Sequence, residues 1–146
     1  MAIVNVLGAN VTKFEAPGAD NWIDQGLIKS GIKVWSDSYT TIGSESATST
    51  IHIATLPAGA VVHGILASWA NVGAATATMH IGDSDDADRY QASLDIATAG
   101  QSSTVLVGGQ QYAIGTNDGD TEILLTINVA DIDAIGAIKV SVLYTN

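Results

Sequence analysis

The sequence predicts an all-β protein: an antiparallel β-sandwich of jelly-roll type with an extended N-terminal arm. Three observations carry that expectation. Apolar residues recur at spacing two from Ile32 onward. Turn-forming residues interrupt the chain at intervals of about a dozen residues, as in sandwiches and barrels. The composition is 47% hydrophobic but only 5% aromatic, so the core must be built from Ala, Val, Ile and Leu.

Residues 1–31 stand apart. Gly8, Pro17, Gly18, Gly26 and Gly31 punctuate them, and the apolar pieces Ile3 to Leu7, Trp22-Ile23 and Leu27-Ile28 follow no regular period. Such a segment cannot form a core of its own. Trp22, Ile23, Leu27 and Ile28 are therefore the candidate partner-binding residues, since burying each is worth about 1.5–3 kcal/mol before ordering costs. Pro17 to Gln25 is short enough to be a helical turn. The expected organisation is an arm over 1–31 and a sandwich over 32–146.

The strands follow in order. In Lys33 to Ile42, Trp35, Asp37 and Tyr39 share one face, and Val34, Ser36 and Ser38 the other. Thr48 to Leu56 sets Ile51 and Ile53 against Thr50 and His52, and Pro57-Ala58-Gly59 turns the chain. Ala60 to Ala70 is apolar on both faces, which predicts a strand buried on two sides. Ala75, Ala77, Met79 and Ile81 oppose Thr76, Thr78 and His80. Tyr90, Ala92, Leu94 and Ile96 oppose Arg89, Gln91, Ser93 and Asp95. Ser103 to Val107 and Gln110 to Ile114 are shorter candidates around Gly108-Gly109. Asn117-Asp118-Gly119-Asp120 is a turn signal. Ile123 to Val129 and Ile138 to Tyr144 complete the strands, with Val129 to Ile135 a possible second helical turn.

Charge and composition narrow the chemistry. Five basic residues against fifteen acidic ones give a net charge of −10, which would repel a phosphate backbone, so no nucleic-acid partner is expected. The apolar run Leu56 to Ala75 is interrupted by Pro57, His63, Asn71 and glycines and lacks flanking basic anchors, so no membrane partner is expected either. No basic n-region marks a signal peptide at Met1 to Asn5. The absence of cysteine removes disulfides, thiolate metal sites and Cys nucleophiles.

Candidate chemistry is sparse. Asp83, Asp85, Asp86 and Asp88 crowd one loop, and hard cations favour such oxygen-rich turns. The central glycine and terminal glutamate of an EF-hand are missing, so Asp83, Asp85 and Asp88 are candidates in a loop expected to be solvated, metal-free and not essential for folding. Thr116 to Glu122 and Asp131-Ile132-Asp133 are further acidic turns; gathered at one end they would make it strongly negative, and separate turns are the expectation. His52, His63 and His80 sit on three different strands with no His-x-His pair, which does not fit a cupin-type metal triad. No Gly-x-Ser-x-Gly elbow or phosphate loop is present. No catalytic residue, cofactor or enzymatic activity is expected. Trp22, Trp35, Trp69 and the tyrosines read as core and interface anchors rather than a sugar-binding groove.

Two regions resemble a known group. Gly18-Ala19-Asp20-Asn21-Trp22-Ile23-Asp24-Gln25-Gly26-Leu27-Ile28-Lys29, followed by Ile32 to Thr40, is similar to small structural proteins encoded near the head genes of tailed bacteriophages. Ile53 to Gly59 and the hairpin Ile81-Gly82-Asp83-Ser84 … Asp88-Arg89-Tyr90 resemble the same group. These are the jelly-roll decoration, or cement, proteins of phage heads. The resemblance implies a homotrimer on the outer capsid surface that contacts the major capsid protein through its N-terminal arm and stabilises the shell. The alternative on the same fold is a carbohydrate- or receptor-binding module of a tail or head fibre, with an exposed aromatic beside the Asp83 to Asp88 loop.

Overall fold

The structure, a computed structural model, describes residues 31–115 and 122–146. The arm, its residues Trp22, Ile23, Leu27 and Ile28, and the Asn117 to Asp120 turn lie outside the described residues. Within them the chain forms nine strands: β1 (Lys33–Thr40), β2 (Thr50–Thr55), β3 (Val61–Trp69), β4 (Thr78–Gly82), β5 (Gln91–Asp95), β6 (Gly100–Ser102), β7 (Tyr112–Ala113), β8 (Glu122–Asn128) and β9 (Ala137–Thr145). No helix occurs among the described residues, and hence none long and apolar enough to cross a membrane.

Two antiparallel sheets result. One has the order β1-β9-β3-β6, with the short β7 also paired to β3; the other has the order β2-β8-β4-β5. The pairs β1–β9, β2–β8, β3–β6 and β4–β5 are the rungs of one long hairpin that has been rolled, and β9–β3 and β8–β4 close the roll. That connectivity is the jelly roll.

Alternation in each strand sends one set of side chains between the sheets. Val62, Ile65, Ala67 and Trp69 from β3 and Ile138, Val140 and Val142 from β9 meet Ile53 from β2, Met79 and Ile81 from β4, and Ile123, Leu125 and Ile127 from β8, all buried. At about 1.5–3 kcal/mol per buried aliphatic side chain, this layer is the main source of stability. It is thin in aromatics, as the composition requires.

Among the described residues, three side-chain donors reach from one sheet to the backbone of the other. Trp35 Nε1 donates to the Ile53 carbonyl at 3.1 Å. A bulge in β2 between His52 and Ala54 leaves Ile53 out of the β2–β8 ladder, so the indole meets a carbonyl the sheet does not use. Gln91 Nε2, buried, donates to the Ile65 carbonyl at 3.1 Å. Trp69 Nε1 is shared between the carbonyls of Asp95 (2.8 Å) and Thr98 (2.9 Å). Gly100 lies against that indole; a Cβ there would stand 2.8 Å from Trp69 Cζ2.

Several expectations need correction. Ser103 to Val107 is not a strand; the pairing falls earlier, at Gly100–Ser102, where no apolar alternation marks it. Val129 to Ile135 is not helical: Ile132 is buried and bridges to Gly73. In β5 the alternation inverts. Met79 faces Leu94 but Ile81 faces Gln91, and Ser93 takes φ 53°, so the bulge turns Gln91 rather than Ala92 inward. The strand from Ala60 to Ala70 is covered on its inner face, whereas Leu66 on the outer face is 50% exposed. On β1, whose residues pair only with β9, the inner-face residues Trp35 and Asp37 remain exposed and Tyr39 half-buried.

Trp69→Phe keeps most of the ring but strips the donor from two carbonyls, and is expected to cost about 1–3 kcal/mol. Trp69→Ala, which also opens a cavity, is expected to cost about 3–5 kcal/mol. Urea denaturation followed by circular dichroism measures both.

Candidate functional site

The acidic loop joins β4 to β5, and its carboxylates divide by burial. Asp83 is 2% exposed, while Asp85 and Asp88 face solvent. Asp83 Oδ1 accepts the amides of Asp85 (3.1 Å) and Asp86 (2.9 Å), an Asx-type arrangement that closes the turn. Arg89 comes back across the loop: Nε donates to Asp83 Oδ2 and Nη2 to Oδ1 at 3.2 Å. The fork geometry of guanidinium matches the carboxylate. Asp83 raises the Arg89 pKa through these hydrogen bonds, against the opposing effect of burial. The guanidinium also lies 4.1 Å above the Tyr112 ring, a cation–π contact, and Tyr112 meets Tyr90 edge-on at 6.3 Å. Gly82 makes the close turn possible, since a Cβ there would stand 2.1 Å from the Asp86 carbonyl oxygen.

The expectation of a wholly solvated loop therefore fails at Asp83. Its lone pairs are committed to one guanidinium and two amides. The three weak metal candidates do not converge: Asp83 points inward to Arg89, and Asp85 and Asp88 point out. No grouping of three His, Asp or Glu able to hold a metal occurs among the described residues. Of the aromatic rings near the loop, Tyr90 is buried and Tyr112 is capped by Arg89. Among the described residues no exposed aromatic ring lies beside this loop.

At the opposite end of β8 a second carboxylate organises a turn. Glu45 Oε1 accepts Tyr39 Oη (2.6 Å) and the Ile42 amide (2.8 Å), and Oε2 accepts the amides of Gly43 and Ser44, both at 3.1 Å. Burial alone would raise the Glu45 pKa; the hydrogen bonds from Tyr39 and the amides of Ile42 and Ser44 outweigh it and lower it to about 2. The same hydrogen bond raises the Tyr39 pKa. The loop before β9 is tied to this turn. The Ile132 amide donates to the Glu45 carbonyl (2.8 Å), the Ala47 amide to Asp131 Oδ1 (2.7 Å), and Thr41 Oγ1 to the Ala134 carbonyl (2.7 Å). Gly82 pairs with Leu124 and Thr78 with Asn128, so the Asp83 and Asp131 loops leave opposite ends of β8 and the acidic turns do not gather.

The histidines are local. His52 Nε2 lies 2.9 Å from both the Ala54 carbonyl and Thr55 Oγ1, His63 Nε2 2.9 Å from Thr145 Oγ1, and His80 Nε2 2.6 Å from Asn128 Nδ2. They sit on β2, β3 and β4 and do not converge. An open groove of about 640 Å³ lies on the outer face of the β1-β9-β3-β6 sheet, lined by Leu66, Ser68, Gln101, Ser103, Lys139 and Ser141 among others. Its lining has no carboxylate; its polar groups are the hydroxyls of serines and Thr104, the Gln101 amide and Lys139. The both-faced apolarity of Ala60 to Ala70 pointed from the sequence to a strand that one sandwich does not fully cover; the sheet order adds which of its sides stays open.

The described residues define an all-β sandwich of jelly-roll type. Among solved structures the chain is similar to a chain of the cyanophage Pam1 capsid asymmetric unit, with a TM-score of 0.66 and 22% identity over 80% of this chain and 85% of that one. It is also similar to a chain of the capsid of Ralstonia phage GP4, with a TM-score of 0.62 and 12% identity over 80% of this chain and 84% of that one. At these identities the likeness is one of fold. No protein-family model and no curated protein sequence matches the chain.

Two outcomes test the loop assignments. Arg89→Ala strands a buried carboxylate and is expected to destabilise the fold by about 3–5 kcal/mol, with Arg89→Lys only partly restoring it for want of the planar fork; denaturation midpoints decide. The Glu45 carboxylate, with its pKa lowered, contributes stability above the ordinary carboxylate range that is lost as pH falls toward about 2. Glu45→Gln is therefore expected to be less stable than wild type by about 1–2 kcal/mol at neutral pH. That gap should close in acid when both proteins are melted across a pH series.

Proposed function

We propose that this chain is a structural protein of a bacteriophage head: a decoration, or cement, protein that binds the outer capsid surface as a homotrimer and stabilises the shell. The observation that carries the reading is the jelly roll itself. It matches chains of two phage capsid structures over 80% of its own length and 84–85% of theirs. The described surface is consistent with a non-enzymatic role. Its one strongly shifted carboxylate, Glu45, is consumed by a turn, and its histidines are dispersed.

In this reading the work is mechanical. Each trimer bridges neighbouring copies of the major capsid protein, and binding only to the assembled shell opposes rupture by mass action. Several weak contacts held together on the trimer make the lattice the preferred ligand, because only the assembled shell presents all of them at the right separation. The arm, through Trp22, Ile23, Leu27 and Ile28, supplies contacts to the shell. A net charge of −10 discourages adhesion to packaged or released nucleic acid.

The test is to add purified protein to heads that lack it. Saturable co-sedimentation, threefold density on the outer surface in a particle reconstruction, and a higher rupture temperature are expected, with Trp22→Ala weakening binding by roughly tenfold, the equivalent of about 1.4 kcal/mol. A protein that leaves such heads undecorated, or locates to the tail, would overturn the reading.

A further inference from the structure

We infer that the outer face of the β1-β9-β3-β6 sheet is the surface through which copies of this chain associate. This rests on the reading of the protein as a self-associating capsid component and names the face that would do it. Cross-strand register fixes which residues share that face. Val34, Leu143 and Gly64 form one row across β1, β9 and β3; Ser36, Ser141 and Leu66 the next; Ser38, Lys139, Ser68 and, on β6, Gln101 a third.

Two independent properties single the face out. The first is apolar exposure. Leu66 is 50% exposed on the inner strand β3 and Val34 59% exposed on the edge strand β1, both in strands rather than at loop tips, and Gly64, which has no side chain, stands beside Leu143 in the ladder. The outer side of β3 thus exposes Leu66 between Gly64 and Ser68, and the chain's other sheet does not cover it.

The second property is charge. A copy carrying −10 repels another, and the repulsion is worst where carboxylates would be brought together. The outward rows of this sheet contain no Asp or Glu, and Lys139 is their one charged residue. The outer face of the other sheet differs: Glu122 stands opposite Thr55 and Asp95 opposite Thr78. Loops at both ends carry further carboxylates. The face is therefore where copies can converge without burying like charges. The small hydroxyls of Ser36 and Ser141, bonded to each other at 2.8 Å, allow close approach at little desolvation cost, and the groove beside Leu66 can receive a side chain from the neighbour.

The experiment measures mass in solution for the full chain at micromolar concentration, in low and high salt, for wild type, Val34→Asp/Leu66→Asp and Val107→Asp. Val107, 90% exposed in the loop between β6 and β7 and in none of the outward strand rows, serves as the control. Wild type and Val107→Asp are expected at three times the protomer mass of 14.9 kDa, with association strengthened by salt, and the double variant at the protomer mass with an unchanged circular dichroism spectrum. Should the double variant misfold, Ser38→Glu/Ser68→Glu places carboxylates on the same face at positions with small side chains and is expected to dissociate the assembly as well. A folded double variant that keeps the wild-type mass would overturn the assignment of the face while leaving self-association standing. A monomeric wild-type protein would overturn both, and a melting temperature lowered by the double variant in that monomer would assign the face to a segment of the same chain. Decoration of heads is scored separately, so loss of the capsid reading is distinguishable from loss of the interface.

Discussion

The position of β9 governs the rest of the architecture. It lies between β1 and β3, hydrogen-bonded on both sides, with Lys33 opposite Tyr144 and Val61 opposite Thr145. Neither the β1-β9-β3-β6 sheet nor the core layer can be completed before it docks, because Ile138, Val140 and Val142 fill the middle of that sheet's inner face. Pairings between residues more than a hundred positions apart make the contact order high, and such topologies fold slowly. The cross-sheet hydrogen bonds from Trp35, Gln91 and Trp69 then fix the two layers at a separation that aliphatic packing alone would leave less specified.

Much of this was readable from residue order because strand alternation is a local signal. The alternating runs around Val34, Ile53, Met79, Leu125 and Val140 all fall in observed strands. The failures have physical causes that alternation does not carry. Gly100–Ser102 pairs with β3 because Gly100 fits under Trp69, a shape condition from a strand thirty residues earlier. The inward turn of Gln91 depends on a bulge that one φ angle at Ser93 creates. Asp83 reads as one more carboxylate in an acidic run; only the fold reveals that Arg89 and Tyr112 enclose it. At the candidate contact surface, the double-sided apolarity of Ala60 to Ala70 was visible, but which side stays uncovered required the sheet order.

The two organising carboxylates show how an acidic chain spends its charge. Asp83 and Glu45 are withdrawn into turns, satisfied by Arg89, Tyr39 and backbone amides, at the two ends of the sandwich. The other acids among the described residues are carried on loops, at edges and on the second sheet, and the outward strand positions of the first sheet carry a single charged residue, Lys139. Solubility and contact are thereby assigned to different parts of a small surface.

Asp37 adds a constraint of a different kind. It sits on the inner side of β1, an edge strand of eight residues whose free backbone groups would otherwise invite a strand from another molecule. A strand added there would extend the sandwich layer and bury the Asp37 carboxylate, which forms no ion pair with a lysine or arginine among the described residues. The edge is in this way closed to fibrous growth by one side chain, and copies crowded at high local density are steered away from endless sheet extension toward assemblies of finite size.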